Sequence, residues 1–219
     1  MLIFVHGFLG CKEDWSAVQK ALDVPSIALS LPGHERAPLD LETFEQGIPE
    51  GAIVVGYSMG GRLAMHCALK YPGKIKKLIV LSAQPGLERG IEERKKKDEE
   101  WIKLLEQGID PFLDKWYAQP LFSSFKLTDA MKKRRRNCDP QKMIEVIKRY
   151  SPARMKNLWP ELQKISSETV FLFGEDDIKY RRIGERLEKD FRCLWIPKAG
   201  HPLHLEAPEA IADRLRRLL

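Results

Sequence analysis

The chain of 219 residues is 43% hydrophobic and 31% charged, and its 37 Lys and Arg outnumber 31 Asp and Glu to give a formal net charge of +6. That length suits one domain with room for an inserted subdomain, and the composition excludes a collagenous, low-complexity or wholly disordered chain. The longest aliphatic runs, such as Leu2-Ile3-Phe4-Val5, are strand-sized, far short of the about 20 apolar residues that a bilayer crossing needs, so no membrane partner is expected.

In chain order, residues 2–6 read as a first strand, which runs directly into the loop His6-Gly7-Phe8. A second strand is expected at 26–31 and a third at 52–57. The third ends in Gly56-Tyr57-Ser58-Met59-Gly60-Gly61, followed at once by a helical stretch at 60–70. Gly-x-Ser-x-Gly between strand and helix is a nucleophile elbow: a tight turn lifts the serine oxygen above the sheet, and the flanking glycines remove side chains that would collide there. The following helix points its N-terminus at developing negative charge. In this architecture the backbone N–H groups of Phe8 and Met59 are expected to form the oxyanion hole. The His6 side chain reads as a packed residue that fixes its loop.

A fourth strand at 77–83 precedes a change of character. Residues 84–165 contain no convincing strand, and their apolar residues fall at helical spacing, as in Trp101, Leu104 and Leu105, or Met143, Ile144 and Ile147. Four or so short helices are expected here. Inserted over the carboxyl ends of a parallel sheet, they would form a helical lid at the edge where α/β ligands bind. The predicted organisation is therefore a core of residues 1–83 and 166–219 with a lid at 84–165. The lid holds 19 basic and 13 acidic residues, so it carries the whole net charge of the chain. Such a local field suits a small anionic substrate.

Strands at 169–174 and 193–199 complete a set of six. All are continuous apolar runs without alternation, the pattern of strands buried on both faces of a parallel sheet. Alternation with helices, including 179–189 and a C-terminal one from Pro208, predicts an α/β fold with a doubly wound, mainly parallel six-stranded sheet. A serine nucleophile needs a histidine and an orienting carboxylate, and the elbow sets the chain order Ser, acid, His. His201 follows the last strand. Glu175, Asp176 and Asp177 follow the fifth, and spacing alone leaves the choice among them open.

Other chemistries are weakly supported. His201, His204 and Glu206 offer ligand types but lie on a prolyl loop without the helical face of zinc motifs, so no metal is expected and His204 reads as structural. The basic run Lys132 to Arg136 is not interleaved with aromatics, and no nucleic-acid partner is expected. Cys11, Cys67, Cys138 and Cys193 show no paired spacing, and the N-terminus has neither a basic leader nor a cleavage site. These features point to free thiols and a cytoplasmic location.

The motifs carry a resemblance throughout to the α/β-hydrolases, and specifically to the 2-succinyl-6-hydroxy-2,4-cyclohexadiene-1-carboxylate synthases of menaquinone biosynthesis. The matching pieces are Phe4 to Gly10 with Trp15, Leu31-Pro32-Gly33-His34, Gly56 to Arg62, Pro85-Gly86-Leu87, Trp116 to Phe122, Gly174 to Tyr180, and Gly200-His201. Ser30 and Glu35 stand where the family usually has Asp and Gly. The resemblance implies that Asp177 is the triad acid, completing Ser58 and His201. It further implies a lyase without a cofactor that eliminates pyruvate from a substrate bearing several carboxylates, with Ser58 as base. Arg62, Arg94 and one arginine of Arg134 to Arg136, taken as Arg136 with the register open by one, are implied to bind the substrate, with Trp116 and Tyr117 lining the pocket. Planar guanidinium groups suit such a polyanion. Each also has a plainer reading: Arg94 as an i,i+4 partner of Asp98, Arg134 to Arg136 as a solvated face, and Arg62 as a structural ion pair. The alternative function is a carboxylesterase or thioesterase that uses the same triad, with an acidic carrier protein as its partner.

Overall fold

The computed structural model describes residues 1–165 and 167–219; the expected junction between lid and core at residue 166 lies outside the described residues. Six strands, β1 (Leu2–Val5), β2 (Ser26–Leu29), β3 (Ala52–Tyr57), β4 (Ile75–Leu81), β5 (Glu168–Gly174) and β6 (Arg192–Ile196), form one sheet in the order β2-β1-β3-β4-β5-β6. Every pairing is parallel. The central strands are buried on both faces: Ile3, Val54, Leu78 and Phe171 pack into one apolar cluster, while Phe4, Val55, Ile79 and Leu172 pack into the other. This is why these runs are continuously apolar.

The connections are α1 (Ser16–Leu22), α2 (Leu41–Gln46) and α3 (Met59–Lys70), then after β5 α8 (Ile178–Leu187), α9 (Leu203–Glu206) and α10 (Pro208–Arg216). Between β4 and β5 lie α4 (Ile91–Glu106), α5 (Ile109–Tyr117), α6 (Asp129–Arg136) and α7 (Pro140–Tyr150). Asp139 and Pro140 start α7 as an N-cap and N1 pair, with the Asp139 carboxylate accepting from the N–H groups of Gln141 and Lys142, which satisfies donors that a helix start leaves unpaired. Four expected strands end early, β1 by one residue, β2 and β4 by two and β6 by three. Pro197 has no N–H for the ladder, so β6 stops at Ile196. β2 stops at Leu29, and the next residue, Ser30, turns its hydroxyl to the Glu35 carboxylate. Glu35 sits at φ 52°, in the left-handed region that glycine enters at least cost, and the pairing with Ser30 helps to hold it there. No described helix is long and apolar enough to cross a membrane.

Candidate active site

The turn after β3 holds Ser58 at φ 50° and ψ −113°, a backbone conformation costly for a residue with a Cβ. Packing imposes it. A Cβ on Gly56 would lie 2.7 Å from the Gly61 Cα, and one on Gly60 would collide with the His6 carbonyl. The Ser58 hydroxyl donates to His201 Nε2 at 3.2 Å, and His201 Nδ1–H donates to Asp177 Oδ2 at 2.7 Å. That second bond fixes the tautomer, leaving Nε2 free to accept a proton. Asp177 also caps α8, with Oδ1 accepting from the Tyr180 N–H at 3.2 Å. Glu175 and Asp176 are exposed, whereas Asp177 is buried. The His201 imidazole is enclosed by the rings of Tyr180, Tyr57 and Phe122 at centroid distances of 4.5, 5.3 and 6.0 Å.

The loop after β1 runs against this serine. A Cβ on Gly7 would come within 3.4 Å of the Ser58 Cβ, which sets the neighbouring Phe8 beside the elbow. Met59 opens α3, so its N–H has no intrahelical acceptor. Two buried histidines stitch the β1 loop to the β2 loop reciprocally. His6 Nε2 accepts from the Leu31 N–H at 3.2 Å, and His34 Nε2 accepts from the Leu9 N–H at 3.0 Å. Each Nδ1–H donates to a local carbonyl, Gly7 for His6 and Pro32 for His34. Burial lowers the His6 pKa to about 4 and that of His34 to about 3, so both are neutral acceptors at physiological pH.

Ser58 and His201 open into a cavity of about 240 Å³ whose wall includes Phe8, Met59, Arg62, Arg94, Trp116 and Tyr117. The aromatic side is packed as a unit: Trp116 stacks on Phe112 at 5.5 Å and meets Trp101 at 5.2 Å and Phe8 at 5.0 Å. The cationic side is less conventional. Arg62 is buried, donates through Nη2 to the Tyr150 carbonyl at 2.6 Å, and has no hydrogen-bond partner for Nε among the described residues. Its pKa is lowered to about 10 by burial, so it remains charged. The structural ion pair considered for it is absent among the described residues. Arg94 does form the i,i+4 pair, with Nε donating to Asp98 Oδ1 at 2.7 Å, and also lines the cavity. The i,i+4 pair thus does not remove Arg94 from the cavity wall.

Arg136 is the correction. It lies half-exposed in an ion pair with Asp110 at 2.6 Å and is not on the cavity wall. One residue is about 100° of helix rotation, and the buried position belongs to Arg135. Arg135 Nη2 donates to Asp14 Oδ2 at 2.7 Å and its Nε to the Tyr117 hydroxyl at 3.1 Å. A run of three arginines has no local signal for which faces inward; the signal is Asp14, 121 residues earlier in the chain. Lys179 and Tyr180 also line the cavity, within the run Gly174 to Tyr180 already singled out. His204 is buried between Trp15 and Tyr57, each ring 4.4 Å away, and neither of its nitrogens has a partner among the described residues. Glu206 is occupied by Ser124 Oγ and the Gly200 N–H. Among the described residues no group of three or more His, Cys, Asp or Glu side chains is arranged to hold a metal ion.

Comparison with known proteins gives three relevant likenesses. The chain is 30% identical over 236 residues to 2-succinyl-6-hydroxy-2,4-cyclohexadiene-1-carboxylate synthase of Enterobacter sp. (strain 638), covering 100% of this chain and 91% of that protein. It is 27% identical over 258 residues to Protein PHYLLO, chloroplastic, of Arabidopsis thaliana, of which it spans only 15%. The structure of MenH from S. aureus superposes with a TM-score of 0.92 at 27% identity, covering 100% of this chain and 92% of the other. Residues 2–214 match the alpha/beta hydrolase family. A match that runs almost end to end, on a sheet of six parallel strands with a serine elbow after the third, makes this chain an enzyme of the alpha/beta hydrolase family.

Proposed function

We propose that the enzyme is a cofactor-independent carbon–oxygen lyase that eliminates pyruvate from a small polycarboxylate, the reaction type of the synthases it resembles. The observation that carries this reading is Arg62: a buried guanidinium without a carboxylate partner among the described residues, on the wall of the cavity that Ser58 and His201 share. A buried charge left without a counter-ion is costly, and an anionic ligand supplies the missing partner. Arg94 adds a second planar cation on the same wall, suited to a carboxylate, whereas Arg135 is already paired with Asp14.

In the proposed mechanism His201 Nε2 takes the Ser58 proton, and the imidazolium is stabilised by Asp177. The Ser58 alkoxide removes a proton from a substrate ring carbon. The C–H electron pair becomes a ring double bond, the carbon–oxygen bond breaks, and the three-carbon fragment leaves as the pyruvate enolate. The imidazolium proton returns through Ser58 to that fragment. Developing oxyanion charge is met by the N–H groups of Phe8 and Met59, each such donor contributing on the order of 3 kcal/mol. Residues 84–165 act as the lid, bringing Trp116 and Tyr117 over the site to exclude water.

The test is pyruvate release from the polycarboxylate precursor of 2-succinyl-6-hydroxy-2,4-cyclohexadiene-1-carboxylate, run beside a panel of p-nitrophenyl esters. Pyruvate formed in step with precursor loss, with weak ester turnover, is the expected result. Rapid ester hydrolysis through an acyl-Ser58 intermediate, with no pyruvate, establishes the esterase or thioesterase reading instead.

A further inference from the structure

α4 is a helix of charged residues, and Asp98 is the one among them that it buries, together with the apolar Trp101 and Leu105. A solvated helix has no reason to turn a carboxylate inward, and burying one is costly unless it is fully paired. Here the pairing is complete. Asp98 Oδ1 accepts from Arg94 Nε at 2.7 Å, and Oδ2 accepts from the Ser151 hydroxyl. Ser151 directly follows α7, and the preceding residue, Tyr150, offers the carbonyl that holds Arg62 Nη2 at 2.6 Å. The junction Tyr150–Ser151 thus takes hold of two cavity cations, Arg62 directly and Arg94 through Asp98.

The mode of contact is as informative as the contact itself. Asp98 engages Arg94 through Nε, one side of the guanidinium fork. The terminal nitrogens Nη1 and Nη2 have no partner among the described residues, so the end of the fork that takes a carboxylate bidentately is left unpaired in a residue that lines the cavity. A flexible arginine would otherwise lose rotamer freedom each time it bound.

We propose that Asp98 is a positioning residue for substrate recognition: with Ser151 it fixes the Arg94 guanidinium end-on to the cavity and sets it in register with Arg62. This rests on the anionic-substrate reading above. The proposal has a sign that separates it from simple electrostatics. If Asp98 acted only as a negative charge near the site, removing it would strengthen anion binding. If it positions Arg94, removing it weakens anion binding.

The experiment measures KM and kcat for pyruvate release, and, independently of any reaction, the Kd of citrate from the fluorescence of the cavity tryptophans Trp101 and Trp116. Asp98→Ala is expected to raise KM and the citrate Kd about tenfold, with kcat within about twofold. Asp98→Asn, which keeps an oxygen for Arg94 Nε, is expected to recover most of that loss, and in an Arg94→Ala background Asp98→Ala is expected to add nothing. A lowered or unchanged citrate Kd in Asp98→Ala, or full additivity with Arg94→Ala, overturns the proposal. Should Asp98→Ala fail to fold, Arg94→Lys decides. It keeps the charge but not the fork, so positioning demands a loss close to that of Arg94→Ala, and retained affinity rejects it. Absence of pyruvate release by the unmodified enzyme defeats the lyase reading alone, because the citrate cycle still reports on Asp98.

Discussion

Arg62 reaches from the first turn of α3 to the carbonyl of Tyr150 at 2.6 Å, across 88 residues of sequence, and meets no carboxylate among the described residues there. A helix C-terminus stabilises a cation only partly, so the folded protein retains a buried charge with no paired carboxylate among the described residues. Arg62→Met removes that charge at similar volume. It is expected to keep or raise the melting temperature while raising KM for the anionic substrate at least about tenfold. A large loss of stability without a change in KM would assign Arg62 to the fold instead.

The strained backbone of Ser58 gives a second test. Ser58→Gly removes both the proposed base and the cost of φ 50°, so it is expected to abolish pyruvate release and to stabilise the protein by about 1 kcal/mol in urea unfolding. Asp177→Asn keeps a similar shape but favours the wrong His201 tautomer, and a fall of about 10⁴ in kcat is expected. A loss of tenfold or less would show that His201 does not depend on that carboxylate.

Neighbouring arginines separate by rotation alone. Arg136→Ala breaks an exposed pair and is expected to change stability by less than about 0.5 kcal/mol, with activity intact. Arg135→Ala leaves Asp14 buried and unpaired, and a loss of about 3–5 kcal/mol is expected, with KM raised. Equal effects of the two variants in thermal melts and kinetics would refute the assignment of the inward face.

The loops after β1 and β2 need neutral histidines. In the unfolded chain His6 and His34 take up a proton near pH 6.5, but in the folded protein only at about 4 and about 3. Between those values the unfolded state holds more protons, so stability rises with pH and is lost as pH falls from about 6.5 toward 4. Each histidine contributes about 1.4 kcal/mol per pH unit within that window. Urea midpoints measured from about pH 7 to about pH 5 should therefore fall steadily, and a flat profile would contradict this account.

His204 shares that behaviour, its pKa lowered to about 3 by burial, without the compensating bonds. His204→Phe preserves a ring between Trp15 and Tyr57 and is expected to raise the melting temperature and to reduce the acid sensitivity of stability. A destabilised variant would reveal a polar partner for the imidazole.

The elements legible in the sequence were those set by local pattern. All six strands lie within a few residues of their apolar runs, because burial on both faces leaves no room for polar interruption, and Ser58 announces itself through the glycines its turn requires. Long-range pairing was not legible. Nothing within α6 distinguishes Arg135 from Arg136, since the deciding partner, Asp14, sits beyond β1. Nor does the i,i+4 spacing of Arg94 and Asp98 reveal that Asp98 is buried against Ser151 while Arg94 lines the cavity. The choice of Asp177 over Glu175 and Asp176 likewise came from resemblance to a motif; in the fold it follows from Asp177 being the residue that can cap α8 with one oxygen and reach His201 with the other.

The cavity wall also divides by origin. Ser58, Arg62 and His201 belong to the sheet and its immediate connections, whereas Arg94, Trp116, Tyr117 and Arg135 all lie between β4 and β5. Under the proposed function, most of the substrate contacts therefore lie in a different stretch of the chain from the proton-transfer residues, with Arg62 the exception. On that reading, exchanging the stretch between β4 and β5 would change which molecule is held while Ser58, His201 and Asp177 stay in place, and Arg62 would still require an acid group.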